Sequence, residues 1–302
     1  MRLSKLAAAI KKGDRVALAK GITLAENAPS EGARLLAMMG PPGHSFVIGV
    51  TGPPGTGKSS LVDRLITVYR GKGLKVGVIA VDPTSPITGG ALLGDRIRMT
   101  EHADDQGVFI RSMASRGWSG GLSRATSQVI RLMDAAGFDI ILLETVGIGQ
   151  SDIEVVGVSH AVLVVLMPGL GDDIQVSKAG LMEVGDIYVV NKSDLAGADL
   201  MVVSLLSLFR GSPRSPPALK ASALSGEGVD GLYGAIEKIR GGFTAGGRDL
   251  RLRSVRGMII ETARGAAMEK LAAVSQTRTA ALANLVLDGK MTVETAAAKL
   301  GR

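Results

Sequence analysis

The chain has 302 residues, 46% of them hydrophobic, which is enough for one or two domains with a sizeable buried core. It has no cysteine, and this excludes both a disulfide framework and a thiolate metal site. The formal net charge is +7, but only 3% of the residues are aromatic, which argues against a stacking platform for single strands, and we expect no nucleic-acid partner.

The amino-terminal residues form an amphipathic pattern with lysine and arginine, without the continuous apolar run of a signal peptide. The longest strongly apolar runs, such as residues 161–167, are far too short to cross a bilayer. We therefore expect a cytoplasmic protein that does not contact a membrane.

The predicted elements divide the chain into three parts. Residues 1–44 form a helical extension, in which residues 3–20 have apolar side chains at helical spacing and residues 31–39 form another helix. Residues 45–240 form the main domain. Residues 241–302 begin with a glycine-containing hinge and continue as a mostly helical C-terminal arm.

Short apolar segments alternate with helical patterns in the main domain. Because these segments show little polar alternation, they indicate parallel strands that helices cover on both faces. The predicted fold class is therefore α/β, with a mostly parallel, doubly covered sheet that binds ligands outside the carboxyl ends of its strands. The predicted strands are residues 46–51, 75–81, 108–112, 140–144, 161–167, 187–191 and 218–221, and the main predicted helices are residues 59–70, 122–136, 175–183 and 229–239.

A glycine-rich loop follows the first predicted strand. Its sequence, GPPGTGKS at residues 52–59, has the form G-x-x-x-x-G-K-S between a strand and a helix, which is the pattern of a P-loop NTPase. Glycines let backbone N–H groups close around phosphate oxygens at a helix N-terminus. We expect Lys58 to reach the β- and γ-phosphates and the Ser59 hydroxyl to ligate Mg²⁺. The predicted phosphate-binding residues are Gly52, Gly55, Thr56, Gly57, Lys58, Ser59 and Ser60.

A guanine-binding loop is predicted after the sixth strand. The sequence NKSD at residues 191–194 has the form N-K-x-D, although a plain polar loop after a strand can look the same. The Asp194 carboxylate can accept hydrogen bonds from the ring N–H and the exocyclic amine of guanine, a pair of donors that adenine lacks. Asn191 would brace the loop, and the stem of Lys192 can lie along the base. The tripeptide after the last strand, Ser222, Ala223 and Leu224, matches the second base-contacting loop of GTPases.

Three acidic residues end predicted strands or lie in adjacent loops. Asp82 follows the second strand, Glu144 ends the fourth, and Asp95 lies in the glycine-containing stretch after Asp82. Mg²⁺ prefers oxygen ligands, so these carboxylates and Ser59 form the predicted metal site. Asp95 has a second interpretation as an acidic residue at a helix N-terminus.

The segment after Glu144 is the predicted hydrolysis switch. Gly147 can donate its N–H to the γ-phosphate and register hydrolysis as a backbone movement. Gln150 invites comparison with a water-positioning glutamine, but its offset from Gly147 differs from the usual arrangement, and a plain loop glutamine is the alternative. The predicted catalytic residues are Lys58, Glu144 and Gly147.

These stretches together resemble the MeaB/ArgK-type GTPases, which belong to a wider metallochaperone-like group. That group is similar in having Glu rather than Asp in the third GTPase motif. The most specific stretches are VDPTSPITGGALLGDRIRM at residues 81–99 and ETVGIGQS at residues 144–151. The resemblance covers residues 45–240, through these two stretches and residues 52–59, 111–117, 169–175 and 191–194.

The resemblance implies a GTP-binding chaperone of an adenosylcobalamin-dependent acyl-CoA mutase, chiefly methylmalonyl-CoA mutase, which gates cofactor loading and protects the mutase. It also implies a homodimer to which the C-terminal helices contribute, and Mg²⁺ held by Asp82, Asp95 and Glu144. Asp152 and Asp173 stand where Glu is common in the family. Both keep the negative charge, but their side chains are shorter than that of Glu. The residues implied to switch or to meet the partner are Gln150, Ser151, Asp152, Asp172, Asp173 and Lys178.

Two other functions stay open on the sequence. A nickel metallochaperone GTPase shares the broader fold but needs Cys or His ligands, whereas this chain has no cysteine and only three widely separated histidines, His44, His102 and His160. An assembly GTPase for a non-cobalamin client has the same motifs as the mutase chaperone. A mutase or cobalamin adenosyltransferase gene beside this one would disfavour it.

Overall fold

The computed structural model describes most of the chain in nine ranges. They are residues 2–82, 100–102, 104–114, 125–145, 151–169, 181–211, 215–244, 247–272 and 276–300. The chain falls into two compact units, Met1–Met258 and Ile259–Arg302.

Strands and helices alternate through the first unit, and the second unit contributes the last helices of the chain. The strands are β1 (Phe46–Thr51), β2 (Val76–Asp82), β3 (Val108–Ala114), β4 (Ile140–Glu144), β5 (Ala161–Leu166), β6 (Ile187–Val190) and β7 (Ala218–Lys220). The helices are α1 (Leu3–Lys11), α2 (Arg15–Asn27), α3 (Pro29–Ala37), α4 (Lys58–Gly71), α5 (Ala125–Ala135), α6 (Ser151–Val158), α7 (Leu181–Val184), α8 (Ala198–Leu208), α9 (Val229–Thr244), α10 (Arg248–Ala272), α11 (Gln276–Leu287) and α12 (Val293–Leu300).

The described strands form one seven-stranded sheet in the order β3-β2-β4-β1-β5-β6-β7. Every neighbouring pair is parallel, as in β1 and β4, where Phe46 lies opposite Ile140. The carboxyl ends of the strands therefore meet at one edge, and the loops that leave this edge carry the predicted site. The predicted parallel α/β fold is confirmed.

Side chains along each strand alternate between two apolar cores. In β1, for example, Phe46, Ile48 and Val50 belong to the core that α4 and α9 cover, whereas Val47 belongs to the core that α1, α2, α3 and α5 cover. Because both faces are buried, the strands have no polar alternation, which is the pattern that predicted the parallel sheet.

The predicted helix over residues 3–20 is wrong, because the chain forms two helices there. Gly13 lies in the left-handed region at φ 78° and ends the first of them. Asp14 then caps α2 by accepting a hydrogen bond from the Ala17 N–H at 2.8 Å. Val16, an apolar residue in the first turn of α2, is exposed to 64%.

The hinge expected at residues 241–247 is helical in its first part, because α9 continues to Thr244. The ring of Phe243 is buried and meets the ring of Phe46 edge-on, with centroids 5.3 Å apart. The division into compact units falls after Met258, later than the predicted start of the C-terminal arm at residue 241. Among the described helices, none combines the length and apolar character needed to span a bilayer.

Helices α6 and α10 cross at a pair of glycines. A Cβ atom on Gly257 would overlap the carbonyl oxygen and Cα of Gly157. Next to the crossing, the Ser254 hydroxyl donates to the Val158 carbonyl at 3.0 Å, and Arg253 donates to the His160 carbonyl at 2.7 Å. The first turns of α10 are therefore fixed to the end of α6.

Gly257→Ala is expected to destabilise the protein by about 1–3 kcal/mol, because backbone atoms on both helices must separate to admit the methyl group. Urea unfolding followed by circular dichroism measures the change. The matched control is Gly231→Ala in α9, where an added Cβ meets nothing within 4 Å. That variant should gain up to about 1 kcal/mol from helix propensity. Equal stability of the two variants would show that the crossing is not tightly packed.

Candidate functional site

The glycine-rich loop leaves the end of β1 beside β5 and enters α4. Gly52, Gly55 and Gly57 have φ angles of 139°, 79° and 84°, in the region that favours glycine. A Cβ on Gly52 would also overlap the Val165 carbonyl oxygen, and one on Gly57 would lie 2.5 Å from Asn191 Nδ2. The loop conformation therefore needs glycine at these positions, as a backbone cradle for phosphate does.

The loop also binds its own side chains. Lys58 Nζ donates to the carbonyls of Gly52 at 2.8 Å and Pro53 at 3.0 Å, and only 7% of this residue is exposed. The Thr56 hydroxyl donates to the Pro53 carbonyl at 2.9 Å. Ser60 lies on the exposed side of the first turn of α4. The ammonium group is thus held at the mouth of the loop, at the start of a helix whose dipole also favours anions.

Ser59 and Glu144 meet at the carboxyl edge of the sheet. The Ser59 hydroxyl donates to Glu144 Oε1 at 2.7 Å, and both residues are buried. Beside them the Thr145 hydroxyl donates to Thr51 Oγ1 at 3.0 Å. Hydroxyl and carboxylate oxygens are the ligand types that Mg²⁺ takes in proteins, so this pair fits the predicted metal site.

Asn191 joins the phosphate-binding loop to the second loop of the predicted base site. It is 1% exposed, and its Nδ2 donates to the Thr56 carbonyl at 2.7 Å. Its Oδ1 accepts from the Ala223 N–H at 3.0 Å. The predicted bracing role of Asn191 thus has a geometric basis, since one side chain links three loops.

Asp194 and Ser222 also meet, because the Ser222 hydroxyl donates to Asp194 Oδ1 at 2.9 Å. Lys192 follows Asn191 in the same loop. Its φ is 56°, and it is the one non-glycine residue at positive φ in the described ranges. Such strained residues cluster at binding sites. Leu224, at the end of this second loop, is exposed to 84%.

Arg64 is a contact of the site that no sequence pattern indicated. It lies on α4, and its guanidinium donates to the Ala223 carbonyl at 2.7 Å from Nε and to the Leu224 carbonyl at 2.8 Å from Nη2. An arginine on the exposed side of a helix looks like any solvated surface residue, and only the tertiary fold brings it to this loop.

Comparison with known proteins identifies the family. A family model for the methylmalonyl Co-A mutase-associated GTPase MeaB matches residues 18–279. This chain belongs to the MeaB family. Among its relatives, a putative GTPase of Pyrococcus horikoshii is 50% identical over 244 residues, covering 78% of this chain and 77% of that protein. The GTPase ArgK of Escherichia coli is 40% identical over 257 residues, covering 81% of this chain and 78% of that protein.

A solved structure extends the match to the whole chain. The crystal structure of an LAO/AO transport system kinase has a TM-score of 0.73 to this chain at 26% identity, and the match covers 99% of this chain and 96% of the other. The predicted membership of the MeaB/ArgK type and the predicted GTPase activity are confirmed: this MeaB-family chain binds and hydrolyses GTP.

Several predicted residues of this MeaB-family site lie outside the described residues. Asp82 is the last residue of β2, and α6 begins with Ser151 and Asp152. The side chains of these three residues are not among those that the structure describes. The remaining predicted metal and switch residues outside it are Asp95, Gly147, Gln150, Asp172, Asp173 and Lys178. Their proposed roles stay predictions.

The three histidines lie in separate environments. His44 is exposed near Asp139, at 3.7 Å, and His102 Nε2 lies 3.4 Å from Asp63 Oδ1. His160 Nδ1 accepts a hydrogen bond from the Val47 N–H. Burial, together with the charges of nearby arginines, lowers the pKa of the His160 imidazole to about 4. Within the described ranges, no group of three or more His, Cys, Asp and Glu residues is placed to hold a metal ion.

Proposed function

We propose that the two edge loops and the start of α4 form the GTP site of this MeaB-family protein. The support is that one buried side chain, Asn191, hydrogen-bonds both the phosphate-binding loop and the Ala223 backbone. The proposed nucleotide-binding residues are Gly52, Gly55, Thr56, Gly57, Lys58, Ser59, Ser60, Asn191, Lys192, Asp194, Ser222, Ala223 and Leu224.

Ser59 and Glu144 are proposed as magnesium ligands, together with Asp82 and Asp95. The support is the buried hydrogen bond of 2.7 Å between the Ser59 hydroxyl and the Glu144 carboxylate, next to Lys58. A bound Mg²⁺ would neutralise charge on the β- and γ-phosphates. Glu144 also lies three residues before Gly147 in the sequence, so the proposed metal ligand and the predicted switch are close along the chain.

The chain is proposed to act as a GTP-dependent chaperone of an adenosylcobalamin-dependent acyl-CoA mutase. The observation that carries this proposal is the match of residues 18–279 to a family described as associated with methylmalonyl Co-A mutase. GTP hydrolysis would gate cofactor loading and protect the mutase. A homodimer in the cytoplasm is part of the same proposal, with the C-terminal helices contributing to the dimer.

The test is GTP hydrolysis by the purified protein with and without a cobalamin-dependent acyl-CoA mutase from the same genome. The mutase is expected to speed turnover by roughly tenfold or more, as partners of slow GTPases do. The control is the Lys58→Ala variant with the same mutase, which should stay at background and so excludes a contaminating phosphatase. If no such mutase changes the rate of GTP hydrolysis, the chaperone proposal is contradicted, whereas the assignment of GTPase activity is unaffected.

A further inference from the structure

Arg64 connects the phosphate-binding helix to the loop at Ser222, Ala223 and Leu224. It lies in the second turn of α4, which begins at Lys58. Its two hydrogen bonds, of 2.7 and 2.8 Å, go to the carbonyls of two successive residues, Ala223 and Leu224.

The geometry of this contact is specific to arginine. Nε and Nη2 lie on one edge of the planar guanidinium, so the two N–H groups point in parallel and suit two neighbouring acceptors. Hydrogen bonds from a charged donor are also stronger than neutral ones. A lysine offers a single point of charge and cannot hold two carbonyls in one fixed orientation.

Two backbone N–H groups of this loop have partners other than Arg64. The Ala223 N–H donates to Asn191, and the Ser225 N–H donates to the Ser222 hydroxyl at 3.3 Å. The Leu224 side chain is exposed to 84% and does not anchor the backbone by packing. Arg64 is therefore the contact that fixes the carbonyl side of the Ala223–Leu224 peptide.

Fixing that carbonyl also fixes the next amide. In a trans peptide the N–H points opposite to the C=O, and the described peptide bonds are all trans. Since the Ala223 carbonyl points to Arg64, the Leu224 N–H points away from α4. No hydrogen bond of the Leu224 N–H occurs among the described residues.

We propose that Arg64 is a positioning residue for guanine recognition. By holding the Ala223–Leu224 peptide, it presents the Leu224 N–H as a donor to the carbonyl oxygen of the guanine ring. This inference rests on the proposed assignment of the Asp194 and Ser222–Leu224 loops to the base. The contact also joins base recognition to the helix that begins at the phosphate-binding lysine.

The test compares GTP, ITP and inorganic tripolyphosphate by calorimetry on the Arg64→Ala variant. GTP and ITP both have the ring carbonyl, so both should bind more weakly by the same factor, about tenfold. Tripolyphosphate has no base and should bind as it does to the parent protein. The loss should appear in KM for GTP rather than in kcat, because both hydrogen bonds of Arg64 go to the base loop. Arg64→Lys should restore only part of the affinity.

Two further variants separate the outcomes. Arg70→Ala, on the same helix, removes an arginine that binds Asp105 and the Leu74 carbonyl, and it should leave nucleotide affinity unchanged. Asp194→Asn should weaken GTP more than ITP, since ITP lacks the exocyclic amine. If Asp194→Asn weakens GTP but Arg64→Ala does not, or if Arg64→Ala weakens tripolyphosphate equally, the role of Arg64 is overturned. If neither variant changes GTP affinity, the base-site assignment itself is wrong.

Discussion

Lys58→Ala is expected to lose GTP hydrolysis by about 10²–10³-fold in kcat, because it removes the positive charge nearest the transferring phosphoryl group. The side chain is 7% exposed and bound to two carbonyls of its own loop. It is therefore held close to where the β- and γ-phosphates would lie. Single-turnover hydrolysis at saturating GTP measures the loss without the contribution of binding.

The control for that variant is Lys72→Ala, which removes a lysine from the opposite end of α4. Lys72 is exposed and lies over the ring of Tyr233, 5.8 Å from its centroid. Its loss should leave turnover unchanged. Normal turnover by Lys58→Ala would refute the phosphate-site assignment, provided that its circular dichroism spectrum matches that of the parent.

Asp194→Asn is expected to weaken GTP binding by about 10–100-fold and to relax the preference for guanine over other purine nucleotides. An amide cannot accept hydrogen bonds from both the ring N–H and the exocyclic amine, and hydrogen bonds to a charged acceptor contribute about 1.5–3 kcal/mol. Ser222 donates to one oxygen of this carboxylate at 2.9 Å and so orients it. Calorimetric titrations with GTP, ITP and ATP give the three affinities.

The matched control is Asp199→Asn in the following helix. Asp199 is 86% exposed at its side chain and pairs with Lys220 on the surface, where such an ion pair contributes little. Its substitution should change neither affinity nor selectivity. If the Asp194→Asn variant binds GTP with unchanged affinity, the base-site assignment is wrong.

The sheet and its site loops were predictable from the sequence, because strands buried on both faces and fixed motifs leave strong local patterns. Each predicted strand is present within two residues at either end, and the described motif loops, at residues 52–57, 191–194 and 222–224, lie at the carboxyl edge. The motifs also predicted that Ser59 and Glu144 share a metal site, and the two residues meet because β1 and β4 are neighbours in the parallel sheet.

The sequence did not predict features that depend on tertiary packing, nor a helix whose residues are apolar on every face. Helix α8 was not predicted, because its sequence ADLMVVSLLSL is apolar on every side and shows no helical stripe. The break at Gly13 was missed because apolar spacing continues across it. The contact of Arg64 with the second base loop joins residues that are distant in sequence, and no local signal marks it.

The position of β1 in the sheet has a consequence for biosynthesis. All six residues of this strand are buried, yet its two neighbours, β4 and β5, are made only about a hundred residues later. At about 5–20 residues per second, the ribosome needs roughly 5–20 s to supply them. During that interval the nascent chain carries an apolar strand with both edges unpaired, which is the kind of segment that aggregates or engages chaperones. The strand that positions the phosphate loop is thus paired on both edges only after β5 has left the ribosome.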